Sequence, residues 1–530
     1  PNIFLEGIYL NYAEIVIANA NENLDRVFHY GVPENLRNVI EVGMRVYVPF
    51  GMGNRRTEGY VIGFTDEIDF DKSKIKNIYS IAERYAVISS KRLQLAYWMK
   101  EKYYCSIGSA IMAITPKIVK EKTFRCVSVN EKCDNLSEKI QQVLKKQTKQ
   151  KAVLEMLLNG NVVPVSHIKN LLGVTDSPID SLVKKGILVI ENVQTYRGNC
   201  NFEYKSKTVA PILNEEQLNA VNVLNDSIEN QYTRPILIKG VTGSGKTEVY
   251  MAAIEKALQK GKQCIVLVPE ISLTPQTVDR FVSRFGDKVA VTHSRLSDGE
   301  RYDQWNRARK NEISVMIGPR SAIFTPFENL GLVVIDEEHE TTYKSDQQNP
   351  KFDAREVAEK LGELYNSVTV LGSATPSITS FYKAKNNIYK LVELNNRVNN
   401  TYPDVKIVDM RNELAEGNKS IFSRDLQNNI SKALSNGEQI ILFLNRRGFS
   451  NFVSCRSCGH VMKCNIYITI FTFHKSINKL MCHYCGKIVQ VPTVCPECGS
   501  KYIRHFGSGT EKIQYEVEKI FPKARTLRMD

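Results

Sequence analysis

The chain has 530 residues, and since single hydrophobic cores stop growing near roughly 250–300 residues, several domains are expected. Apolar residues make up 42% and charged residues 24%, which excludes a disordered or fibrous chain. The net charge of +14 favours polyanionic partners, nucleic acid first. No run approaches the roughly 18–20 apolar residues that span a membrane. No charged-then-apolar leader opens the chain, so no membrane partner and a cytoplasmic location are expected.

Residues 1–117 read as β-rich, with "EIVIANA", "MRVYVPF" and "EGYVIGF" as short β-prone runs. "LQLAYWMKEKYYC" follows as an amphipathic helix, with Leu93, Ala96, Tyr97 and Lys100 at helical spacing. Residues 118–207 give a Lys- and Gln-rich helical stretch. Two short helices, "VSHIKNLL" and "TDSPIDSLVKKG", and a strand pair follow. Helix, turn, helix and β wing form the winged-helix pattern, either a DNA-binding module or a small structural one. Residues 208–400 alternate apolar strands ("PILIKG", "CIVLVPE", "VAVTH", "SVMIG", "LVVIDE", "VTVLGSAT") with helices, which predicts a doubly wound parallel sheet. Residues 401–530 begin the pattern again with "VKIVDM", a helix near 423–436 and "QIILFLN". A cysteine block then interrupts it, and "KIQYEVEKIF" and "ARTLRM" resume it.

The most specific motif is Gly240-Val241-Thr242-Gly243-Ser244-Gly245-Lys246-Thr247, set between a strand and a helix. Its glycines let backbone N–H groups converge on phosphate, and the helix N-terminus adds positive potential. Lys246 is placed for the β/γ-phosphates of ATP and the Thr247 hydroxyl for Mg²⁺. In "LVVIDEEHE", Asp336 at the strand end suits Mg²⁺ coordination and Glu337 suits activation of the attacking water. His339 either couples this site to its neighbours or is a structural histidine. In "LGSATPS", Ser373 and Thr375 are candidates for sensing the γ-phosphate.

Seven of the twelve cysteines lie between Cys455 and Cys498. They run Cys455-x2-Cys458, Cys464, Cys482-x2-Cys485 and Cys495-x2-Cys498. Paired knuckles of this kind signal Zn²⁺ rather than disulfides in a reducing compartment.

The phosphate loop, "DEEH" and "GSATPS", in that order, resemble a superfamily 2 helicase. "GVTGSGKTEVY", "LVPEISLTPQ", "NRRGFS", "CHYCG", "CPECGS" and the early "LDRVFHYGVP" and "GMRVYVPFG" narrow the resemblance. Over nearly the whole chain it is similar to the primosomal protein N′ (PriA) family of replication-restart helicases. The resemblance implies an α/β multidomain fold. It would hold a β-rich 3′-end-binding domain (1–117), a winged helix (118–207), RecA-like lobes at 208–400 and 401–530, and a zinc module at 453–502. It implies ATP-dependent 3′→5′ DNA unwinding at stalled or branched forks, followed by primosome assembly. The implied partners are branched and single-stranded DNA, a single-stranded-DNA-binding protein, other primosome proteins and a replicative helicase loader, in a bacterial, nucleoid-associated setting.

By the same resemblance Phe28, His29, Gly51 and Lys76 form the 3′-end pocket, with His29 standing where the family usually has an acidic residue. Tyr343 and Phe352 are implied to stack on single-stranded bases, with Lys344 and Arg355 meeting phosphate. Asp353 stands where the family often has His. Gln217 matches the adenine contact. Cys455, Cys458, Cys495 and Cys498 would hold one zinc. Cys464, Cys482 and Cys485 would hold a second, whose fourth family ligand falls at Tyr467. His474, His483 or water are the alternatives there. The family's second-lobe arginines fall beyond Asp530, so the chain reads as C-terminally incomplete and is expected to bind ATP better than it hydrolyses it. A double-stranded DNA translocase and a non-catalytic DNA-binding scaffold are the competing readings.

Overall fold

A computed structural model describes residues 11–529, apart from 19–24, 69–70, 72–73, 120–122, 146–148, 159–161, 195, 198–209, 347–348, 400–401, 445–451, 467–468, 475–478 and 507–509. These residues fall into two compact units that divide between residues 401 and 402.

The first unit opens on an antiparallel sheet of β1 (Tyr12–Ile17), β2 (Phe28–Gly31), β3 (Met44–Phe50), β4 (Arg55–Thr65) and β5 (Ser80–Ala86), in the order β2-β1-β4-β3-β5. Valine, isoleucine and tyrosine at alternating positions close its inner face, with Ile15, Val46, Val48 and Val61 fully buried. Helices α1 (Ser90–Tyr103) and α2 (Ile107–Ile114) follow. The buried stripe of α1 is Arg92, Leu95, Ala96 and Met99, while Tyr97 is exposed. This corrects the apolar face expected from Leu93, Ala96, Tyr97 and Lys100. The guanidinium of Arg92 is drawn into a seam that the helix periodicity could not show.

Next comes a small module of β6 (Thr123–Val129), α3 (Leu136–Leu144), α4 (Lys149–Leu157), β7 (Val163–Pro164), α5 (Val165–Leu172), α6 (Asp176–Lys184) and β8 (Leu188–Gln194). Its helices share one core around Val153, Leu154, Leu157, Ile168 and Leu182. The strand after the helix pair joins β6, which precedes the helices, in the order β7-β6-β8.

The largest sheet uses β9 (Ile236–Gly240), β10 (Gln263–Leu267), β11 (Val289–Val291), β12 (Val315–Gly318), β13 (Leu330–Asp336), β14 (Val368–Ser373) and β15 (Lys390–Leu394). All seven are parallel, in the order β11-β12-β10-β13-β14-β9-β15. The strands are apolar on both faces because helices cover both. These helices are α7 (Glu215–Asn230), α8 (Lys246–Gln259), α9 (Pro275–Phe285), α10 (Asp298–Arg309), α11 (Ala354–Tyr365) and α12 (Ile378–Lys385). Asn214 with Gln217 and Ser297 with Glu300 form capping boxes that start α7 and α10. The expected doubly wound sheet is present, with β15 as an addition. The N-terminal sheet, α1, α2 and one face of this sheet share a continuous core from Leu95 and Ile111 to Phe327 and Tyr365.

The second unit contains α13 (Met410–Ala415), α14 (Arg424–Ser435) and α15 (Thr510–Ile520). Its short strands are β16 (Phe452–Cys455), β17 (Thr472–His474), β18 (Lys479–Met481), β19 (Ile488–Gln490) and β20 (Ile503–Phe506). β16 pairs with β20 and so closes the base of the cysteine-rich module, while β17-β18-β19 form its second sheet. The apolar strings at 405–409 and 439–444 join no sheet among the described residues, and Ile407 and Ile441 are more than 90% exposed. A parallel strand needs a hydrogen-bonding neighbour and cover on both faces, and neither string has them here.

A candidate nucleotide site and two thiol clusters

The order β13-β14-β9 sets three motifs side by side at the carboxyl ends of adjacent strands, where open α/β sheets bind ligands. The phosphate loop leaves β9, the acidic run leaves β13, and "SAT" leaves β14 between them. Sequence spacing could not have revealed that adjacency.

Gly243 and Gly245 hold φ of +80° and +81°, the left-handed region that glycine enters without strain. A Cβ on Gly245 would overlap the Gln217 amide. Gln217 is buried. Its Nε2 donates to the Ser244 carbonyl at 2.8 Å, and its Oε1 accepts from Asn214 N at 2.9 Å. In this structure Gln217 therefore braces the loop, and its amide is engaged within the protein rather than offered to a base. The Lys246 Nζ is buried and donates to the Gly240 carbonyl at 2.8 Å, which folds the lysine over its own loop. Thr247 is the second residue of α8.

Asp336 accepts a hydrogen bond from the Tyr250 hydroxyl at 3.2 Å. Burial, reinforced by the neighbouring Glu337 charge, pushes its carboxyl up to about 6 against the pull of Lys246. Glu337 takes a φ of +46°, unusual for a residue with a side chain, and its carboxylate lies 3.5 Å from His339 Nδ1. The same His339 nitrogen lies 2.7 Å from Ser373 Oγ, which also accepts from Thr375 N at 3.0 Å. His339, Ser373 and Thr375 thus form a polar bridge between the ends of β13 and β14.

Glu338 was not singled out in the sequence, yet it is fully buried. It accepts from Ser377 N at 2.6 Å, Ser377 Oγ at 3.1 Å and Ser380 Oγ at 2.8 Å, and lies 3.8 Å from the Arg355 guanidinium. A buried carboxylate with this many donors locks the acidic motif onto α12. Its adjacency to "DE" was the only available signal.

The aromatic residues assigned to base stacking need correction. Tyr343 is buried, and its hydroxyl donates to the carbonyls of Asp336 (2.6 Å) and Leu267 (3.1 Å). Phe352 is buried edge-on against Phe324 at 4.9 Å. Arg355 is clamped bidentately by Asp353, with contacts of 2.9 and 2.6 Å, and donates to the Glu338 carbonyl. Neither ring offers a face to a base in this structure, and Arg355 spends its charge within the protein. The loop's two apolar rings satisfy the hydrophobic core instead. Lys344 remains exposed.

In the N-terminal sheet, Phe28 packs edge-on against Phe50 at 5.2 Å. Lys76 Nζ donates to the Gly51 carbonyl at 3.4 Å. Phe28, Gly51 and Lys76 therefore converge at one edge. His29 faces Glu14 across the β1–β2 pair, with Nε2 3.7 Å from Oε1. A carboxylate accordingly stands beside His29.

The thiols of Cys455, Cys458, Cys495 and Cys498 lie within 4.8 Å of one another, as do those of Cys464, Cys482 and Cys485. Three knuckles share one geometry. The N–H of Cys455, Cys482 and Cys495 donates to the carbonyl five residues on, and Gly459, Gly486 and Gly499 take φ of +79°, +71° and +71°. The turn at Cys464 keeps the same bond, Cys464 N to Thr469 O at 2.8 Å, without a second cysteine. The Thr469 hydroxyl lies 3.6 Å from Cys482 Sγ and, with the Cys485 N–H, holds that thiol down at about 6. Four thiols fit tetrahedral Zn²⁺. The second cluster offers three among the described residues, and Tyr467 and the side chain of His474 lie outside them. His483 does not join the cluster.

Comparison with known proteins bears on these sites. Residues 14–116 match the 3′ DNA-binding domain (3′BD) model of PriA, and residues 214–383 match the DEAD/DEAH box helicase model. The replication restart protein PriA of Bacillus subtilis (strain 168) is 35% identical over 588 residues, covering 98% of this chain and 73% of that protein. PriA of Chlamydia trachomatis serovar D is 36% identical over 531 residues, covering 98% of this chain and 70% of its own. PriA of Synechocystis sp. (PCC 6803) is 44% identical over 365 residues, or 67% of this chain and 43% of that protein. With a nucleotide-type loop on a parallel sheet, a matched 3′ DNA-binding domain and relatives that align over 98% of this chain and 70–73% of their own length, the chain belongs to the PriA family of replication restart helicases.

Proposed function

We propose that this chain uses ATP and Mg²⁺ to separate DNA strands 3′→5′ at stalled or branched replication forks, and that it restarts replication by assembling a primosome there. The observation that carries the reading is the adjacency of β9, β14 and β13, which gathers Lys246, Ser373, Asp336 and Glu337 at one sheet edge. On this reading Lys246 exchanges its bond to the Gly240 carbonyl for the β/γ-phosphates of ATP. The ionised Asp336 holds Mg²⁺, whose charge would neutralise the phosphate oxygens. Glu337 orients the attacking water. The Glu337–His339–Ser373 contacts form the route by which loss of the γ-phosphate reaches the strand-end loops. The domain division at residues 117, 207 and 400 and the zinc module at 453–502 belong to the same proposal.

Phe28, Gly51, Lys76 and the His29–Glu14 pair are the proposed 3′-end pocket, and exposed Lys344 is a proposed phosphate contact. The proposed partners are branched and single-stranded DNA, a single-stranded-DNA-binding protein, other primosome proteins and a replicative helicase loader. A forked duplex with one labelled strand tests the reading. The chain is expected to release that strand with ATP, and Lys246→Ala is expected to bind the fork without releasing it. ATP turnover without strand release would instead indicate a double-stranded DNA translocase. Partner loading that survives Lys246→Ala undiminished would indicate a scaffold.

A further inference from the structure

The helix that carries the phosphate loop's lysine also carries a tyrosine one turn on. Tyr250 follows Lys246 by four residues in α8, so both side chains leave the same helical face. Lys246 folds back over the loop. Tyr250 is only 1% exposed and sits among the apolar side chains that α8 packs on the sheet. Its hydroxyl donates to Asp336 Oδ1 at 3.2 Å. That bond spans an intervening strand. α8 follows β9, Asp336 ends β13, and β14 runs between the two. The residue of β14 opposite Asp336 is Gly372. A Cβ there would overlap the Tyr250 hydroxyl oxygen and stand 2.7 Å from the ring carbon that bears it. Gly372 is therefore the gap through which the hydroxyl reaches the acid.

Two residues that break local rules meet here. Glycine within a central strand gives up packing and backbone entropy, and it marks a close approach. A hydroxyl in an apolar core must find a partner, whereas phenylalanine would fill the same volume without that need. Packing alone calls for neither. One contact explains both, the delivery of a hydroxyl to Asp336. The main chain of Asp336 is held as well, since its carbonyl accepts from the Tyr343 hydroxyl at 2.6 Å. Its carboxylate is repelled by Glu337 and attracted by Lys246, and the Tyr250 bond fixes it between those pulls. A carboxylate has two oxygens and about four lone-pair sites, so one neutral donor on Oδ1 leaves capacity for a cation.

We infer that Tyr250 is the positioning residue for Asp336: reaching across Gly372, it presets the carboxylate for the divalent cation that accompanies the nucleotide. The inference rests on Asp336 as the holder of Mg²⁺ and adds the residues that aim it. Tyr250 acts only through Asp336. Its loss should therefore be felt in the metal-dependent share of nucleotide affinity and not in the metal-free share.

A fluorescent, non-hydrolysable ATP analogue is titrated into the full chain with saturating Mg²⁺ and again with EDTA. The ratio of the two dissociation constants measures what the metal adds. Tyr250→Phe should shrink that ratio about threefold or more, the worth of one neutral hydrogen bond, and leave affinity in EDTA within about twofold of wild type. Adding Tyr250→Phe to Asp336→Asn should cost nothing beyond Asp336→Asn alone, because the hydroxyl works through that carboxylate. Gly372→Ala should reproduce the loss by displacing the hydroxyl. Where circular dichroism shows that the added methyl disturbs the fold, Tyr250→Phe decides by itself. An unchanged ratio in Tyr250→Phe beside a reduced one in Asp336→Asn overturns this inference and leaves Asp336 as the metal holder. An unchanged ratio in Asp336→Asn overturns both. Equal losses with Mg²⁺ and with EDTA would assign Tyr250 to the shape of the loop, and they overturn the inference, as do additive losses in the double variant.

Discussion

Replacing Asp336 by Asn removes a charge that the folded protein holds at a cost. The carboxyl titrates near 6 in the folded chain, against 3.8 for an unperturbed aspartate, because burial disfavours the ion and Glu337 repels it. A raised carboxylate pKa makes ionisation harder in the folded state than in the unfolded one. The penalty is absent below pH 3.8, grows through the interval and is complete above pH 6. At about 1.4 kcal/mol per pKa unit, the full penalty is about 2–3 kcal/mol. Asn keeps an oxygen for the Tyr250 hydroxyl and almost the same shape. Asp336→Asn should therefore stabilise the ligand-free protein at pH 7.5 by about that amount, or roughly 4–12 °C in the melting of a domain this size. At pH 4.5 the gain should fall to about a third. Thermal unfolding followed by circular dichroism at the two pH values measures it. With Mg²⁺ and ATP the order should reverse, since only the wild type can hold the ion. An Asn variant no more stable than wild type at pH 7.5, or equally stabilised at both pH values, would refute this account of the site.

Further outcomes follow from individual contacts. Glu338→Gln turns an amide N–H toward the donors of Ser377 and Ser380 and removes the buried charge 3.8 Å from Arg355, which keeps its pair with Asp353. It should cost about 2–4 kcal/mol, and an unchanged midpoint in urea unfolding would count against the lock. Tyr343→Phe loses the bonds to Asp336 and Leu267. It should cost about 1–2 kcal/mol of stability and leave single-stranded DNA affinity within twofold of wild type by fluorescence anisotropy. A large affinity loss at unchanged stability would restore the stacking role. Metal analysis during a chelator titration should show one zinc retained at the four-thiol cluster after the three-thiol cluster is stripped. Equal retention at both would mean a fourth protein ligand completes the second site.

Much of the site was legible in the chain because its chemistry is local. Backbone amides converging on phosphate need glycines and a following helix within eight residues, and Gly240–Thr247 states both. Knuckle turns need two thiols three residues apart and a glycine after them, and three of the four turns state that. The apolar strands were legible too, since a parallel strand covered on both faces leaves a run with no polar alternation.

Other features depend on where distant segments meet. β14 inserts between β9 and β13 because strand order is set by packing and crossover handedness, not by sequence order. Only that insertion brings Ser373 to His339 and sets the acidic end of β13 one strand away from the phosphate loop. Glu338, indistinguishable in sequence from its acidic neighbours, becomes an internal lock because the N-cap of α12, Ser377, and Ser380 within the helix both donate to it. Tyr343 and Phe352 look like exposed stacking residues in a polar loop, but tertiary packing buries both rings. Arg92 sits on a helix whose periodicity assigned it no role, and packing against a second domain turned it inward. The sequence by itself therefore determined which chemical groups exist and which short turns present them. The tertiary structure decided which groups are neighbours and which are buried, because contact and desolvation are properties of pairs of segments rather than of either one.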